Sequence, residues 1–420
     1  MNQFLKYFFT SFAVSGIVSA NLFATGAGTG NTLSSPYQYN GGNINTITTA
    51  VPFLLITPDA RSGGMGDVGA ATPGDANSIH FNASKLAFAE EKMSFAVSYT
   101  PWLRQLVPDI NLAYLSGYYK IKKDQVIAGS LRYFSLGDIT FTDVVGNTIG
   151  QFRPNEFALD LAYARKLSSN FSGALAGRYI YSNLTNGVSV GGAETHAGQS
   201  FAVDLSGYYR KPIKLNGKKS DFAVGLNISN LGAKISYSSS IKRDFLPSNL
   251  KLGTALTVQL DDYNTLTIAV DANKLLVPTP PVYAVDSKGA PIIDPATGNQ
   301  VILAGQDPNR GVASGIFGSF SDAPGGAKEE LKEINYSTGL EYWYDKQFAV
   351  RAGFFYEDPT KGNRKYFTLG AGVKYNVFGL DFAYLIPTDQ RNPLENTLRF
   401  TLFFNFDALK NSKEEPAATN

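Results

Sequence analysis

The residues that could carry chemistry in this chain are few, and they do not form a recognisable catalytic set. Cysteine is absent and the two histidines, His80 and His196, lie far apart in sequence. This composition disfavours a zinc site, a cysteine nucleophile, disulfides and a lipidated cysteine. The glycine-rich residues 63–66 (GGMG) could cradle a phosphate, but no Lys-Ser or Lys-Thr follows them. We interpret them as a tight turn, and we expect no cofactor, no metal and no enzymatic activity.

Charged residues also recur on one face of the predicted strands, the face that carries small side chains. Carboxylates among them could act as acid and base, yet no spacing selects a pair and no histidine accompanies them. We expect charges of opposite sign to neutralise one another in the interior, and a polar solute path is the alternative. The set comprises Arg132, Asp160, Arg178, Asp204, Asp271, Glu341, Arg351, Lys374, Asp381 and Arg399.

The elements that position these charges show strict alternation of large apolar and small residues. In the segment 157–165 (FALDLAYAR), one face is large and apolar and the other carries alanines and an aspartate. Period two with this contrast predicts a strand between two different solvents. We predict fourteen such strands, near 92–100, 109–120, 125–136, 155–166, 170–182, 199–210, 221–231, 249–260, 264–275, 334–345, 347–356, 366–376, 377–385 and 395–406.

The even count and the strand length of about ten residues favour an all-β fold, a transmembrane antiparallel β-barrel of about 14 strands. Aromatic residues, at 13%, suit membrane-interface girdles, and a net charge of +2 argues against a nucleic-acid partner. A soluble β-sandwich or propeller is the competing architecture. It predicts that the large face is buried and the small face is wet.

The N-terminus has the pattern of a secretory signal peptide. Residues 1–20 combine Lys6, an apolar core and small residues before Ala20, and cleavage is expected after Ala20 or Ala24. A short membrane anchor is the alternative. Residues 21–44 are predicted to be a flexible leader, 45–91 a plug inside the barrel, 92–406 the barrel and 407–420 a polar tail. The expected location is therefore the outer membrane, in contact with its lipid.

The predicted connections alternate between short turns and long loops. Outer-membrane barrels place short turns on the periplasmic side and long loops outside. We therefore predict that both ends of the chain lie at the periplasmic side. The connection 211–220 is on the short side but is longer and basic, which predicts a hairpin tip. The connection 276–333 is far too long for an ordinary loop and carries a helix-like segment, 327–333.

Residues 45–88, which precede the first strand, carry the similarities to known families. The interval 77–87 resembles the pre-barrel motif of FadL-like outer-membrane proteins, with Ala83 where that family usually has proline. Residues 52–70 (PFLLITPDARSGGMGDVGA), 78–88 and 99–103 (YTPWL) together resemble the PorV family more closely. The candidate turn residues of the plug are Gly63, Gly64, Gly66, Asp67 and Asn82.

Resemblance to the PorV family implies a FadL-like barrel of the type IX secretion system of the Bacteroidetes, without catalytic activity. The implied partners are the SprA (Sov) translocon, cargo proteins with C-terminal signal domains, and the surface attachment complex that contains the sortase PorU. A FadL-like transporter of hydrophobic small molecules is the alternative function. An outer-membrane enzyme that acts on lipid A is a distant third.

Four apolar side chains in predicted outer loops are the candidates for partner binding. They are Trp102 and Leu103 after the first strand, and Phe317 and Phe320 in the long connection. Exposed apolar clusters often mark interaction surfaces. The alternative is that these side chains fold back over the mouth of the barrel.

Overall fold

A computed structural model describes residues 38–39, 42–104, 107, 109–142, 145–187, 194–238, 243–389 and 392–406. The predicted signal peptide and the C-terminal tail lie outside these ranges, as does most of the predicted leader. None of the helices in the described part of the chain has the length and apolar content needed to cross a membrane.

Fourteen antiparallel strands close into one barrel, which confirms the predicted fold class and strand count. Each strand pairs with the next in sequence, and the last pairs with the first, with Phe400 opposite Tyr99. In chain order the strands are β1 (Met93–Pro101), β2 (Asn111–Lys122), β3 (Gln125–Ser135), β4 (Asn155–Lys166), β5 (Phe171–Asn183), β6 (Gly198–Leu215), β7 (Lys218–Gly232), β8 (Asn249–Gln259), β9 (Asn264–Leu275), β10 (Ile334–Tyr344), β11 (Phe348–Tyr356), β12 (Lys365–Tyr375), β13 (Phe378–Pro387) and β14 (Leu398–Asn405).

The side-chain pattern of these strands is that of a barrel in lipid. In β4, Leu159 and Leu161 are exposed while Ala158 and Asp160 are buried. A soluble sandwich would reverse this arrangement, because it buries the large face. Since a closed barrel also leaves no unpaired strand edge in the hydrocarbon, the architecture is that of an outer-membrane β-barrel.

The connections lie at two different ends of the barrel. Turns of two to four residues at one end alternate with long loops at the other, and the latter include 102–110, 233–248, 276–333 and 357–364. We call these two ends the short-turn end and the long-loop end. The long loops contain the short strand pairs Ile139–Thr142 with Thr148–Phe152, and Val282–Tyr283 with Ile302–Ala304, and the helices Val312–Gly318 and Ala327–Lys332.

The segment before β1 fills the lumen, and we call residues 45–91 the plug. It contains 3-10 helices at Pro52–Leu55 and Ala83–Phe88 and short α-helices at Ala60–Gly63 and Ser78–Phe81. A further two-residue strand pair, Gln38–Tyr39 with Gly42–Asn43, precedes it. The apolar run that begins at Val51 is packed against wall residues such as Leu112 and Ile180.

The plug enters the barrel from the long-loop end. The backbone N–H of Asn45 donates to the carbonyl of Thr360 at 2.9 Å, and that of Ala50 donates to the carbonyl of Phe245 at 3.0 Å. Both acceptors belong to long loops, whereas β1 starts at the short-turn end. The prediction that both ends of the chain lie at the short-turn end is therefore wrong for the N-terminal part that the structure describes, and the plug crosses the lumen.

Candidate functional site

The barrel wall approaches the backbone of the plug most closely along a row of glycines. A Cβ atom added to Gly225 would lie 1.9 Å from the carbonyl oxygen of Ala70, and one added to Gly353 would lie 2.1 Å from the nitrogen of Gly66. A side chain at either position has no space, so the wall must be glycine there. The plug residues thus lie directly on the wall. The row spans β7, β8, β10, β11 and β12 and comprises Gly225, Gly253, Gly339, Gly353 and Gly370.

Strand β9 interrupts this row with a carboxylate instead of a glycine. Oδ2 of Asp271 accepts the backbone N–H groups of Gly69 at 2.8 Å and Ala70 at 2.9 Å. A charged acceptor makes such bonds stronger than neutral ones. Asp271 therefore satisfies two backbone donors of the plug that burial would otherwise leave without partners.

The predicted turn residues of the plug lie together on this wall. Gly63 is the last residue of the helix Ala60–Gly63. A Cβ atom added to it would lie 2.6 Å from Nη1 of Arg399. The N–H of Gly66 donates to Oγ1 of Thr368 at 2.8 Å, and Gly64 packs on Gly370. The structure thus brings the glycine turn to β12 and its neighbours, with no phosphate-binding arrangement of lysine and hydroxyl groups.

Asp67 and Asn82 hold the two halves of the plug in place. Asp67 accepts from the hydroxyl of Tyr366 at 2.5 Å and lies 3.4 Å from Nη1 of Arg399. Nδ2 of Asn82 donates to the carbonyl oxygens of Ala70 at 2.9 Å and Gly207 at 3.1 Å. Asn82 therefore links the plug to itself and to β6.

An ion-pair network joins the plug to β10. Arg61 makes two bonds to Glu341, Nη2 to Oε1 at 2.7 Å and Nε to Oε2 at 2.9 Å, and a third to Asp75 at 2.8 Å. Glu341 also accepts from Nε of Arg351 at 2.7 Å, and Nη1 of Arg351 reaches Asp381 at 2.7 Å. Within this network, charges of opposite sign neutralise one another, as predicted for the inward face.

A second inward network lies across β4, β5 and β6. Arg178 pairs with Asp160 at 2.5 Å and with Asp204 at 3.1 Å, and all three side chains are buried. Arg132 instead donates to the carbonyl oxygen of Leu54 at 2.7 Å, which fixes the apolar run of the plug. Asp160 and Asp204 are therefore both engaged by the guanidinium of Arg178.

A cavity of about 290 Å³ lies between the plug and the short-turn end of the barrel. Its wall combines aromatic groups, Tyr118, Tyr208 and Trp343, with charged groups of both signs. Within the described ranges, no cluster of three or more histidine, cysteine or carboxylate side chains could hold a metal ion.

At the long-loop end, a cluster of two lysines and three glutamates fastens the loop 276–333. Nζ of Lys274 lies 2.9 Å from Glu330 and 2.6 Å from Glu333, and Nζ of Lys361 lies 2.6 Å from Glu329 and 2.9 Å from Glu333. We call these five residues the loop clasp. Burial would raise the pKa of Glu329, but the Lys361 ammonium outweighs it and the pKa is lowered.

The clasp also reaches the entrance of the plug. Nδ2 of Asn45 donates to Glu329 at 2.9 Å and to the carbonyl oxygen of Pro280 at 3.1 Å. The loop 276–333, the loop 357–364 and the first residues of the plug are therefore one connected surface.

The four apolar candidates behave differently from one another. Trp102 and Leu103 are half-buried and pack on a cluster formed by Phe355, Tyr366, Leu385 and Leu394, which matches the alternative left open from the sequence. They fold over the mouth of the barrel, because that cluster offers apolar contacts that water does not.

Phe317 and Phe320 do lie on the surface. Phe317 is 78% exposed and Phe320 is 50% exposed, at and just after the helix Val312–Gly318. Leu331, from the helix Ala327–Lys332, is 66% exposed in the same loop. The loop thus displays large apolar side chains to the outside on a frame that the clasp holds in place.

The glycine row and the clasp were not foreseen from the sequence. Alternation marks Gly225 and Gly353 as inward and small, but it does not distinguish them from alanines such as Ala223. The acidic segment 327–333 is visible as a helix, yet its lysine partners lie 50 and more residues away or on another loop. Such pairings depend on tertiary structure alone.

Solved structures that are similar to this chain include two toluene transporters and a FadL homologue. The toluene transporter TodX of Pseudomonas putida is similar at a TM-score of 0.44 and 11% identity, covering 81% of this chain and 95% of that one. The toluene transporter TbuX of Ralstonia pickettii gives 0.43 and 11%, covering 82% and 97%. A FadL homologue of Pseudomonas aeruginosa gives 0.41 and 10%, covering 86% and 99%. No curated protein matches the chain.

A family model matches a long continuous part of the sequence. The model described as Type IX secretion system protein PorV matches residues 39–282, which contain the plug and the strands β1 to β9. This match covers more than half of the 420 residues. The chain therefore belongs to the PorV family of type IX secretion system proteins.

Proposed function

We propose that this protein binds the type IX translocon and the C-terminal signal domains of cargo proteins, and passes the cargo to the attachment complex at the cell surface. It does so without catalysis, through its outer loops and the outward face of its barrel. Membership in the PorV family supports the general role in type IX secretion. The proposal that these partners bind at the outer loops is supported by the contrast between the occupied lumen and the exposed loop surface.

The observation that carries this proposal is the way in which the plug occupies the lumen. Its backbone lies in contact with the glycine row, and Arg61 is paired with Glu341, whose side chain is 1% exposed. Removing one member of a buried ion pair typically costs about 3–5 kcal/mol. A folded cargo domain cannot pass through a lumen filled in this way, so cargo is handled outside it.

The surface around the clasp fits a binding role. Phe317 and Phe320 are large and exposed. Their loop is anchored through its glutamates to Lys274, Lys361 and Asn45. Aromatic side chains often dominate protein interfaces because they bury much apolar area at small entropic cost. We therefore assign the partner-binding surface to the loop 276–333, with Phe317 and Phe320 at its centre.

The experiment replaces Phe317 and Phe320 with serine in cells that carry no other copy of the protein. We expect cargo with C-terminal signal domains to be lost from the surface, while barrel assembly is unchanged. Val145→Ser is the matched control, since Val145 is an 83% exposed side chain in a different outer loop. Normal cargo anchoring by the double variant would overturn the assignment of this surface. Deletion of the whole gene tests the role in secretion itself.

Transport of hydrophobic small molecules is the second candidate function. The cavity of about 290 Å³ at the short-turn end, with its aromatic wall, is the observation that favours it. A deletion strain that loses uptake of a small hydrophobic substrate, while its cargo stays correctly anchored, would support transport over cargo handling.

A further inference from the structure

The hairpin that joins β6 and β7 extends further than its neighbours at the short-turn end. β6 stops pairing with β5 at Tyr209, opposite Phe171, and β7 starts pairing with β8 at Ser220, opposite Val258. Residues 211–219 therefore form a free two-stranded ribbon, which we call the basic hairpin. Its turn is Asn216-Gly217, with φ of 50° and 80°, the conformation that tight hairpins prefer.

The basic hairpin is long enough to pass beyond the lipid headgroups. The five residue steps from Arg210 to Leu215 span roughly 17 Å along the strand at 3.4 Å per residue. Strand tilt of about 40° reduces this to roughly 13 Å along the membrane normal. One headgroup layer is about 5–8 Å thick. The tip of the ribbon therefore lies in the aqueous compartment.

Four lysines cover this ribbon, namely Lys211, Lys214, Lys218 and Lys219, and all are exposed. Lys214 lies directly opposite Lys219 in the ladder. Like charges at such positions repel each other. Among the described residues, no carboxylate lies within ion-pair distance of these lysines, in contrast to Arg210 at the base, which pairs with Asp221 at 2.8 Å.

Protection of a strand edge would account for scattered lysines and for Pro212, because both discourage pairing with another chain. It does not require two ammonium groups on one face at directly opposed positions. A nearby turn carries Asp261, whose pKa is lowered by hydrogen bonds from Asn264 and Tyr263 and, least of all, by Lys218. The pair formed by Lys214 and Lys219 thus lacks a partner within the described chain.

The side-chain alternation of β6 shows which way this pair faces. Asp204 and Tyr208 are buried on the inward face, and Lys214 has the same parity. Lys211 and Leu215 instead continue the lipid-facing side of Val203 and Leu205. The pair therefore faces the axis of the barrel, away from the lipid, where a protein segment can approach and a headgroup cannot.

We propose that the basic hairpin is a docking site for an acidic segment of a protein at the short-turn end, the periplasmic side in the predicted orientation. Lys214 and Lys219 are its central contacts, since carboxylates placed between them would relieve their repulsion. This site is separate from the outer loops and does not depend on the function proposed for them.

The test uses the full protein in nanodiscs of phosphatidylcholine, with a fluorescent deca-glutamate peptide as the probe. We expect the double variant Lys214→Glu with Lys219→Glu to bind at least tenfold more weakly, and binding by the native protein to fall steeply with salt. Lys122→Glu with Lys123→Glu is the matched control, because this exposed lysine pair lies in another turn at the same end. The control is expected to bind as the native protein does.

Equal losses in the two double variants would overturn the proposal, since they would show a non-specific basic rim. Equal binding of the native protein to vesicles with 30% phosphatidylglycerol would also overturn it, because a lipid surface would then be the ligand. Should the glutamate variant fail to assemble, Lys214→Gln with Lys219→Gln supplies the same comparison.

A photo-crosslinking amino acid at Pro212, an exposed position with the same inward parity as Lys214, provides the second measurement in living cells. The proposal requires an adduct with an acidic protein that disappears in the Lys214→Glu, Lys219→Glu background and persists in the control background. Adducts with lipid alone, or no adduct, would leave edge protection as the role of the lysines and overturn the proposal.

Discussion

The plug and the loop 276–333 meet at the long-loop end of the barrel, but their large side chains differ in exposure. The polar groups of the plug are largely paired with the wall, and its largest side chains, such as Phe53 and Met65, are 1% exposed. The loop pairs its charges in the clasp, yet it leaves Phe317 and Leu331 in water. A segment whose polar and apolar groups are already in contact with the wall has a structural role. A rigid segment with exposed apolar groups can bind a partner.

A large side chain in the glycine row should disturb the contact between plug and wall more than any other change considered. Gly353→Leu places a side chain where the backbone of Gly66 lies, so we expect a loss of at least about 3 kcal/mol, and failure of the barrel to close around the plug. Loss of the heat-modifiable band on gels measures this failure. Gly177→Ala is the control, since no atom lies within 4 Å of its added Cβ. Normal assembly of Gly353→Leu would contradict the contact.

Breaking the ion pair between plug and wall should have the next largest effect. Arg61→Met leaves Glu341 buried with one partner fewer, which we expect to cost about 3–5 kcal/mol in thermal or urea unfolding. The exposed pair of Arg165 and Asp124, 3.6 Å apart, gives the comparison, and Arg165→Met should cost less than about 1 kcal/mol. Equal costs would show that the plug is not held by its buried charges.

Loosening the clasp should change the loop and leave the barrel intact. Lys361→Met removes the ammonium shared by Glu329 and Glu333, so we expect protease to cut within 276–333 several times faster, with an unchanged melting temperature of the barrel. Lys328→Met is the control, because Lys328 is exposed on the helix that carries Glu329 and makes no ion pair among the described residues. An equal rate in the two variants would remove the clasp from the account.

The fold could be predicted from the sequence wherever the environment of a residue follows from its neighbours along the strand. Alternation around Leu159 and Asp160 indicates which side faces lipid, because the two solvents of a barrel differ so strongly. Contacts between segments that are distant in sequence could not be predicted. Nothing local distinguishes Gly353 from other small residues, and nothing in the apolar run at Val51 reveals which mouth of the barrel it enters. The sequence could not decide whether Trp102 is exposed or folded over the mouth, because its apolar partners, such as Leu394, lie almost 300 residues away.

The path of the plug can be checked by labelling single cysteines introduced at exposed positions. Such substitutions should change stability little. The chain has no cysteine, so Thr46→Cys gives a single site, and Thr46 is exposed at the long-loop end. We expect a membrane-impermeant maleimide to label it on intact cells. Leu215→Cys should be labelled only after the outer membrane is opened. The reverse pattern would invert the orientation of the barrel.

The most direct test of the central claim fixes the plug to the wall. Oγ of Ser116 donates to Oδ1 of Asn77 at 2.9 Å, so Asn77→Cys with Ser116→Cys places two thiols side by side in a protein that has no other cysteine. If the outer surface does the work, cells with the oxidised, locked protein will anchor cargo as well as cells with the reduced protein. Loss of anchoring that reduction fully restores would show that the plug must move, and would contradict the account.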